Sequence, residues 1–210
     1  MPININHISD TNNVLSNIVD YLIFKSNTLS EIGLFHGKMG LVVTLYLYAK
    51  KYNDDIVNEY AWELLQQVYD GIHTNVPIDL ENGLAGIGYG TTLLCQYGIF
   101  DCNLNDILLD IDTKIMERDP RRFTDFSMRT GVKGLMLYIK KRQEVEPIRT
   151  FDSQYITDLQ TVIVHNGIAC EDRNIMDLIS EPQFQNTEYV EKTIELDGGS
   201  SFFIFKSILK

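Results

Sequence analysis

One histidine lies inside a glycine-rich segment that precedes a long apolar run. The segment reads "GLFHGKMG" (residues 33–40), and its His36 has the only side chain there that exchanges protons near neutral pH. Such a histidine has the chemistry of a catalytic general base, or of a hydrogen-bond donor to a bound peptide. The alternative is a structural histidine that caps a neighbouring helical hairpin. Because the surrounding glycines allow close approach of other chain segments, we predict that His36 faces a shared centre.

Two pairs of carboxylates stand before similar glycines elsewhere in the chain. Asp79 and Glu81 precede "GLAGIGYG" (residues 83–90), and Glu195 and Asp197 precede a later glycine pair. Paired carboxylates suit a glycosidase, in which one acid donates a proton and another is the base or nucleophile. Acids directly before a helix are also ordinary caps that interact with the helix dipole. Both interpretations stay open, with Asp79, Glu81 and Asp197 as candidate catalytic acids alongside the histidine.

Five further residues are predicted to bind a ligand at the same centre: Gly37, Gly86, Tyr89, Arg129 and Lys133. The two glycines permit close approach. The tyrosine ring suits stacking on a sugar or packing on a peptide. Arg129 and Lys133 flank a third glycine segment and suit an anion held at the N-terminus of the following helix. The alternative for the two cations is a solvated helix face.

Helical periodicity dominates the sequence. Four segments carry apolar residues three and four positions apart, which is typical of amphipathic helices that cover a core with one face. These segments are residues 10–27, 53–71, 103–115 and 153–167. Two others, "GLVVTLYLYA" and "GLMLYI", are apolar nearly all round, as expected for helices with neighbours on both sides. The pattern of "SFFIF" near the C-terminus fits a helix and a strand equally well.

The glycine segments recur along the chain. The first two align with a displacement of 50 residues, which pairs Gly33 with Gly83 and Gly40 with Gly90. The third, "TGVKG", has glycines at the places of the second and third glycines of "GLFHGKMG". A weaker fourth copy, "IELDGGSSF", repeats the order acid, leucine, acid, glycine of "IDLENGLAG". Periods of about 45 to 50 residues, each one helical hairpin, indicate stacked or circularly arranged helix pairs.

We therefore predict an all-α protein, a partial α/α toroid of about four helical hairpins with glycine-rich entrances to the inner helices. Residues 1–210 form one domain in this prediction, with three clear repeats in 1–145 and a degenerate fourth in 146–210. Residues 167–193 are an insertion without an assigned role. Convergent helix N-termini would expose free backbone N–H groups to an anion or polar ligand. The open ends of the arc predict a homo-oligomer or a covering partner.

With "GLFHGKMG", "ENGLAGIGYG" and "TGVKG", the chain resembles the lanthionine synthetase C-like (LanC-like) family over residues 1–145, and more loosely over 194–209. That family has an α/α toroid with a GLxxGxxG-type segment before each inner helix, and a full ring uses about seven hairpins. Members that form thioether rings bind zinc through two cysteines and a histidine, one Cys-His pair being adjacent. This sequence has no such pair, and Cys95, Cys102 and Cys170 match no ligand position. We therefore predict no metal and no cofactor.

Charge and composition exclude several classes of protein. The net charge of −11 argues against nucleic-acid binding. No apolar run reaches the roughly 18 residues that span a bilayer, and the N-terminus lacks a secretory signal pattern. Three cysteines without CxxC spacing predict reduced thiols in a cytoplasmic protein. Residues 118–149 alone carry a net charge of +5, which predicts either a patch for an acidic peptide or phosphate, or a solvated helix face.

The resemblance implies a peptide-binding protein or an accessory component of peptide modification, of the lanthipeptide type or a related one. Its partner would be a peptide substrate or a peptide-modifying enzyme. Two alternatives remain: a carbohydrate-active α/α enzyme that uses the paired carboxylates with His36, and a pure assembly module. The sequence leaves open whether the chain is an enzyme, because a fold does not fix a function.

Overall fold

The computed structural model describes residues 5–73, 75–101, 103–168, 173–182 and 193–209, with side chains described from residue 14 onward. Within these ranges the chain is helical and forms no β-strand, so the all-α prediction is confirmed. The helices are α1 (Ile5–Lys25), α2 (Lys38–Tyr52), α3 (Asp55–Asp70), α4 (Leu84–Gln96), α5 (Leu104–Ile107), α6 (Leu109–Met116), α7 (Val132–Val145), α8 (Ser153–His165) and α9 (Ser201–Ile208). Short 3-10 helices lie at Ser26–Thr28, Pro120–Arg122 and Ile175–Asp177.

Helix α2 is buried on all sides. Every residue from Met39 to Ala49 is buried, and the helix packs against α3, α4 and α9. Helix α3 instead buries a single stripe, as its apolar spacing predicts. That stripe consists of Val57, Ala61, Leu64, Leu65 and Val68. No helix in the described part of the chain, α2 included, is long and apolar enough to cross a membrane.

Two predicted helices differ from the sequence pattern, and one ambiguous segment is assigned. The segment predicted as one helix from residue 103 divides into α5 and α6, because Leu108 leaves helical geometry (φ −99°, ψ 7°). The ambiguous "SFFIF" run belongs to helix α9. Helix α7 extends well beyond "GLMLYI", and its Met136 and Leu137 are only half-buried. Helix α7 is therefore not covered all round, contrary to the prediction.

The cysteines depart from the predicted chemistry. Cys95, near the end of α4, is disulfide-bonded, so the prediction of reduced thiols is wrong for this residue. The cysteine spacing matches no standard motif, so the sequence pattern does not indicate this disulfide. Cys102 and Cys170 lie outside the described residues.

Helix α3 begins with a side-chain cap at Asp54. The Asp54 Oδ1 atom accepts a hydrogen bond from the Val57 N–H at 3.1 Å. We expect Asp54→Ala to lower the free energy of unfolding by about 1 kcal/mol, because one first-turn N–H loses its partner. Asp54→Asn keeps an acceptor in the same place and is the control. Urea denaturation compares the two variants, and equal losses would contradict a capping role.

Each glycine segment forms the same loop before its helix, and we call these four segments (residues 31–37, 77–83, 125–131 and 193–199) the pre-helix loops. In every one, the N–H after the final glycine donates to the carbonyl oxygen seven residues earlier. The bonds are Lys38 to Glu31 (2.9 Å), Leu84 to Pro77 (2.8 Å), Val132 to Asp125 (3.0 Å) and Ser200 to Thr193 (2.9 Å). The repeated bond confirms four copies of the loop, including the weak fourth one.

The shared bond also corrects the sequence alignment of the first two copies. It makes Gly37 the equivalent of Gly83, whereas the sequence alignment pairs Gly33 with Gly83. The true displacement is therefore 46 residues and not 50. Both alignments pair two glycines with two glycines, so the glycine positions alone do not distinguish the two alignments. In the corrected register, Gly131 and Gly199 complete the set of equivalent glycines.

The starts of the inner helices are not free to bind an anion as predicted. The N–H groups of Lys38, Leu84 and Val132 are already used by carbonyl groups of their own loops. The glycines allow the backbone of each loop to lie close to the start of its helix. A Cβ atom on Gly86 would lie 2.3 Å from the Leu80 carbonyl oxygen, and one on Gly37 would lie 2.3 Å from the backbone nitrogen of Gly33.

The pre-helix loops are joined to one another through their backbones. Helices α9, α2, α4 and α7 pack side by side in that order. The loops follow the same order, because the Asp197 N–H donates to Phe35, the Phe35 N–H to Glu81, and the Glu81 N–H to Arg129, each at 3.0 Å. Side chains at these four positions are thereby brought to one place.

Candidate functional site

A group of charged side chains lies where the pre-helix loops meet. Glu81, Arg129 and Asp197 each stand two residues before an equivalent glycine, and Phe35 holds that position in the first loop. The backbone bonds between loops therefore bring three charged residues from three repeats together. We call the following residues the central cluster: His36, Glu81, Arg129, Glu195 and Asp197.

His36 is the hub of the central cluster. Its Nδ1 atom lies 2.9 Å from Glu195 Oε2, and its Nε2 atom lies 3.0 Å from Glu81 Oε1. The same Nε2 atom lies 3.5 Å from Asp197 Oδ2. The prediction that His36 faces a shared centre is confirmed. About a third of its side chain (32%) stays exposed, so a ligand has access to the ring.

Arg129 closes the cluster on a second side. Its Nη1 atom lies 3.2 Å from Glu81 Oε1, and its Nη2 atom donates to Asp197 Oδ2. The guanidinium also stacks over the Phe35 ring, 4.8 Å from its centroid. Its Nε atom is buried and has no hydrogen-bond partner among the described residues. Arg129, predicted to bind an external anion, is thus paired with the protein's own carboxylates.

The central cluster carries more negative than positive charge. Glu81, Glu195 and Asp197 are balanced by Arg129 alone unless the histidine is charged. Burial raises the pKa of Asp197, but hydrogen bonds from the Ser180 N–H and the Arg129 guanidinium outweigh burial and hold this pKa below its ordinary value. Asp197 is therefore ionised, and the cluster keeps a net negative charge.

The two ring nitrogens of His36 both face carboxylate oxygens. A neutral imidazole has one N–H donor and one lone pair. If Nδ1 carries the proton and donates to Glu195, the Nε2 lone pair points at oxygens of Glu81 and Asp197. Three acceptors facing one another repel. The arrangement therefore needs a proton or another cation between Nε2 and the two oxygens.

The acid pairs seen in the sequence divide between two roles. Glu81, Glu195 and Asp197 reach His36, as described above. Asp79 acts locally, because its Oδ1 atom accepts the Asn82 N–H at 2.8 Å inside the same loop. Burial raises the pKa of Asp79, and the nearby negative charge of Glu81 adds to the effect. Asp79 therefore stabilises its own loop, and it is not a cap of α4, which has no side-chain cap.

One of the predicted ligand-binding residues lies away from the central cluster. Tyr89 is buried in α4 and lines a separate cleft of about 240 Å³ with Leu137, Lys140 and Glu144. It stands six residues beyond Gly83, or about 9 Å along the helix, so the prediction that it faces the shared centre is wrong. Lys133 is half-buried in the first turn of α7. The cation of the cluster is Arg129.

The basic residues between 118 and 149 do not form one surface. Arg142 is fully buried and pairs with Asp112, with its Nη1 atom 2.6 Å from Oδ2. Arg121 pairs with Asp119 beside it, with Nε 2.9 Å from Oδ1. Arg142 therefore belongs neither to a ligand patch nor to a solvated face, and Arg129 belongs to the central cluster instead of a solvated helix face.

Sequence reasoning missed the role of Phe35, and it named Glu195 only as one of the paired acids. Phe35 holds the guanidinium of Arg129, and Glu195 orients His36. The signal that identifies Phe35 is its position two residues before an equivalent glycine, which only the corrected register reveals. No family model matches this sequence, and no curated protein matches it. The geometry of the central cluster therefore carries the functional argument.

Proposed function

We propose that the chain is a LanC-like protein that binds a peptide at the central cluster, as a binding or accessory component of peptide modification. In this proposal its four repeats curve around the cluster as a partial α/α toroid. The observation that carries it is the cluster, because equivalent positions of three repeats supply Glu81, Arg129 and Asp197 to one partly exposed place. The resemblance of the glycine segments to the LanC-like family supports the same proposal.

The chemistry of the cluster suits a peptide. Glu195, His36 and Arg129 are partly exposed, so a ligand meets both acceptors and donors of hydrogen bonds. A peptide backbone offers both kinds of group in alternation. The net negative charge favours a peptide that brings a basic side chain or a free α-amino group.

Glycoside hydrolysis is supported less well. That reaction needs one protonated and one ionised carboxyl group on opposite sides of the scissile bond. Glu81 and Asp197 instead share one guanidinium, and hydrogen bonds favour the ionised form of Asp197. Asp79, whose pKa is raised by burial, is held within its own loop by the hydrogen bond from the Asn82 N–H.

Selection from a phage library of short random peptides tests the proposal, with isothermal titration calorimetry on the enriched peptides. We expect Glu195→Gln to weaken binding by about ten- to a hundredfold, because a hydrogen bond to a charged group is lost. The matched control is Glu63→Gln, which removes an exposed carboxylate on α3. That variant should bind like the wild type.

Three outcomes would contradict peptide binding at this place. Selection that enriches no peptide, or equal affinity of the Glu195→Gln and Glu63→Gln variants, removes its basis. Ordered sugar between Glu81 and Asp197 in soaked crystals would replace it with the carbohydrate-active enzyme. If neither ligand binds, the assembly module is the alternative that remains.

A further inference from the structure

Three ligand atoms of metal-binding type converge inside the central cluster. His36, Glu81 and Asp197 each offer one ligand atom, and these three atoms all lie within 4.8 Å of one another. From His36 Nε2, Glu81 Oε1 is 3.0 Å away and Asp197 Oδ2 is 3.5 Å away. Ligands bound tetrahedrally at about 2.1 Å from Zn²⁺ are separated by about 3.4 Å. We propose that His36, Glu81 and Asp197 bind a divalent transition-metal cation.

The surroundings of these ligands support the proposal independently. Histidines that bind a metal through one nitrogen usually donate the other N–H to a carboxylate or carbonyl group. His36 has this arrangement, with Nδ1 2.9 Å from Glu195 Oε2. The second oxygen of Asp197 accepts the Ser180 N–H at 2.5 Å, which fixes that carboxylate as well. Both ligands are thereby oriented toward the same point.

The donor set indicates the class of cation. One imidazole nitrogen with two carboxylate oxygens suits Zn²⁺ and chemically similar ions such as Co²⁺. The described members of the central cluster include no sulfur donor, so the zinc set of two cysteines and a histidine does not fit here. A cation at this point would also satisfy the Nε2 lone pair that otherwise faces two carboxylate oxygens.

Arg129 competes with the cation for the same oxygens. Its Nη1 and Nη2 atoms contact Glu81 Oε1 and Asp197 Oδ2, the two carboxylate atoms of the proposed site. The guanidinium takes the place of a metal ion when none is bound, and binding of the ion repels it. Because part of the arginine side chain is exposed, it has room to move aside.

Titration of the full chain with Co²⁺ tests the proposal, since the visible spectrum of Co²⁺ reports both geometry and ligand type. We expect the wild type to bind one equivalent with a spectrum that lacks thiolate charge transfer. His36→Gln should weaken binding at least a hundredfold, and His165→Gln, which changes an exposed histidine on α8, should not. Arg129→Met should tighten binding at least tenfold. This gain distinguishes a metal site from a purely structural charge cluster.

Several results would overturn the proposal. These are the absence of saturable Co²⁺ binding by the wild type, equal binding by the His36→Gln variant, and unchanged or weaker binding by Arg129→Met. Binding by Arg129→Met alone would overturn it for the natural chain. The titration uses no peptide, so its failure leaves the peptide-binding proposal standing, and the reverse also holds. Circular dichroism of each variant verifies folding.

Discussion

Replacement of Asp112 by alanine is expected to lower the free energy of unfolding by about 3–5 kcal/mol. Asp112 is fully buried and is the counter-ion of Arg142, which is also fully buried. Its carboxylate further accepts hydrogen bonds at 2.5 Å from the hydroxyl groups of Tyr138 and Thr150. Alanine would leave the guanidinium charge buried without this counter-ion, with the neutral Tyr138 hydroxyl and Asn105 amide oxygen as its remaining partners. Removal of the Asp112 carboxylate should also weaken the packing of α6 against α7, because this carboxylate joins the two helices.

Two further variants test this cause. Asp110→Ala removes an exposed carboxylate of α6 and should leave stability nearly unchanged. The double variant Asp112→Ala with Arg142→Met removes both charges and should recover most of the loss, because no buried charge remains unpaired. Urea denaturation measures all of them. A single variant Asp112→Ala as stable as Asp110→Ala, or no recovery in the double variant, would contradict the assignment.

Most helices follow from the sequence because helical periodicity is local. In α3 the apolar residues Val57 and Leu64 recur on one face, and both are buried as predicted. The break at Leu108 does not follow, since apolar spacing continues through it. Tertiary contacts hold the separate α5 in place, for example the hydrogen bond from the Leu104 N–H to Glu146 Oε2 at 2.9 Å. Such a contact between distant residues has no local signature.

The content of the site follows from the sequence only in part. Asp79 and Glu81 are indistinguishable there, as two acids before a glycine. The loop decides between them, because it turns Asp79 back to the Asn82 N–H and sends Glu81 to His36. The sequence also predicts free helix N-termini, because it does not indicate which carbonyl groups contact the first N–H groups. The partners of these N–H groups are loop carbonyl groups seven residues earlier. Such backbone bonds have no signature in the residue types.

The proposed cation ligands escape a sequence search because each comes from a different loop. His36, Glu81 and Asp197 share no short spacing of the kind found in zinc motifs. A search for cysteine and histidine neighbours therefore pointed to no metal. The repeat contains the useful signal, since Glu81 and Asp197 hold the same position before their glycines. Equivalent positions of neighbouring loops lie side by side, so charged residues at such positions are brought together by the fold.

Gly83→Ala is the second substitution with a large expected effect, a loss of about 3 kcal/mol in the free energy of unfolding. A Cβ atom there would lie 2.3 Å from the Pro77 carbonyl oxygen and 2.6 Å from the Asp79 nitrogen. Both are backbone atoms. The Pro77 oxygen is also fixed by its bond to the Leu84 N–H at 2.8 Å, so the loop has to open. Glu81 lies in that loop, and ligand binding should weaken too.

The same substitution at Gly167 separates steric overlap from other effects of alanine. No described atom lies within 4 Å of a Cβ placed there, although Gly167 has a φ of 63°. Gly167→Ala should therefore cost about 1 kcal/mol, from backbone strain alone, and leave the central cluster unaffected. Chemical denaturation and the Co²⁺ titration compare the two variants. Equal losses would mean that the pre-helix loop accommodates a side chain, and the recurrence of glycine before the inner helices would then need a cause other than close packing.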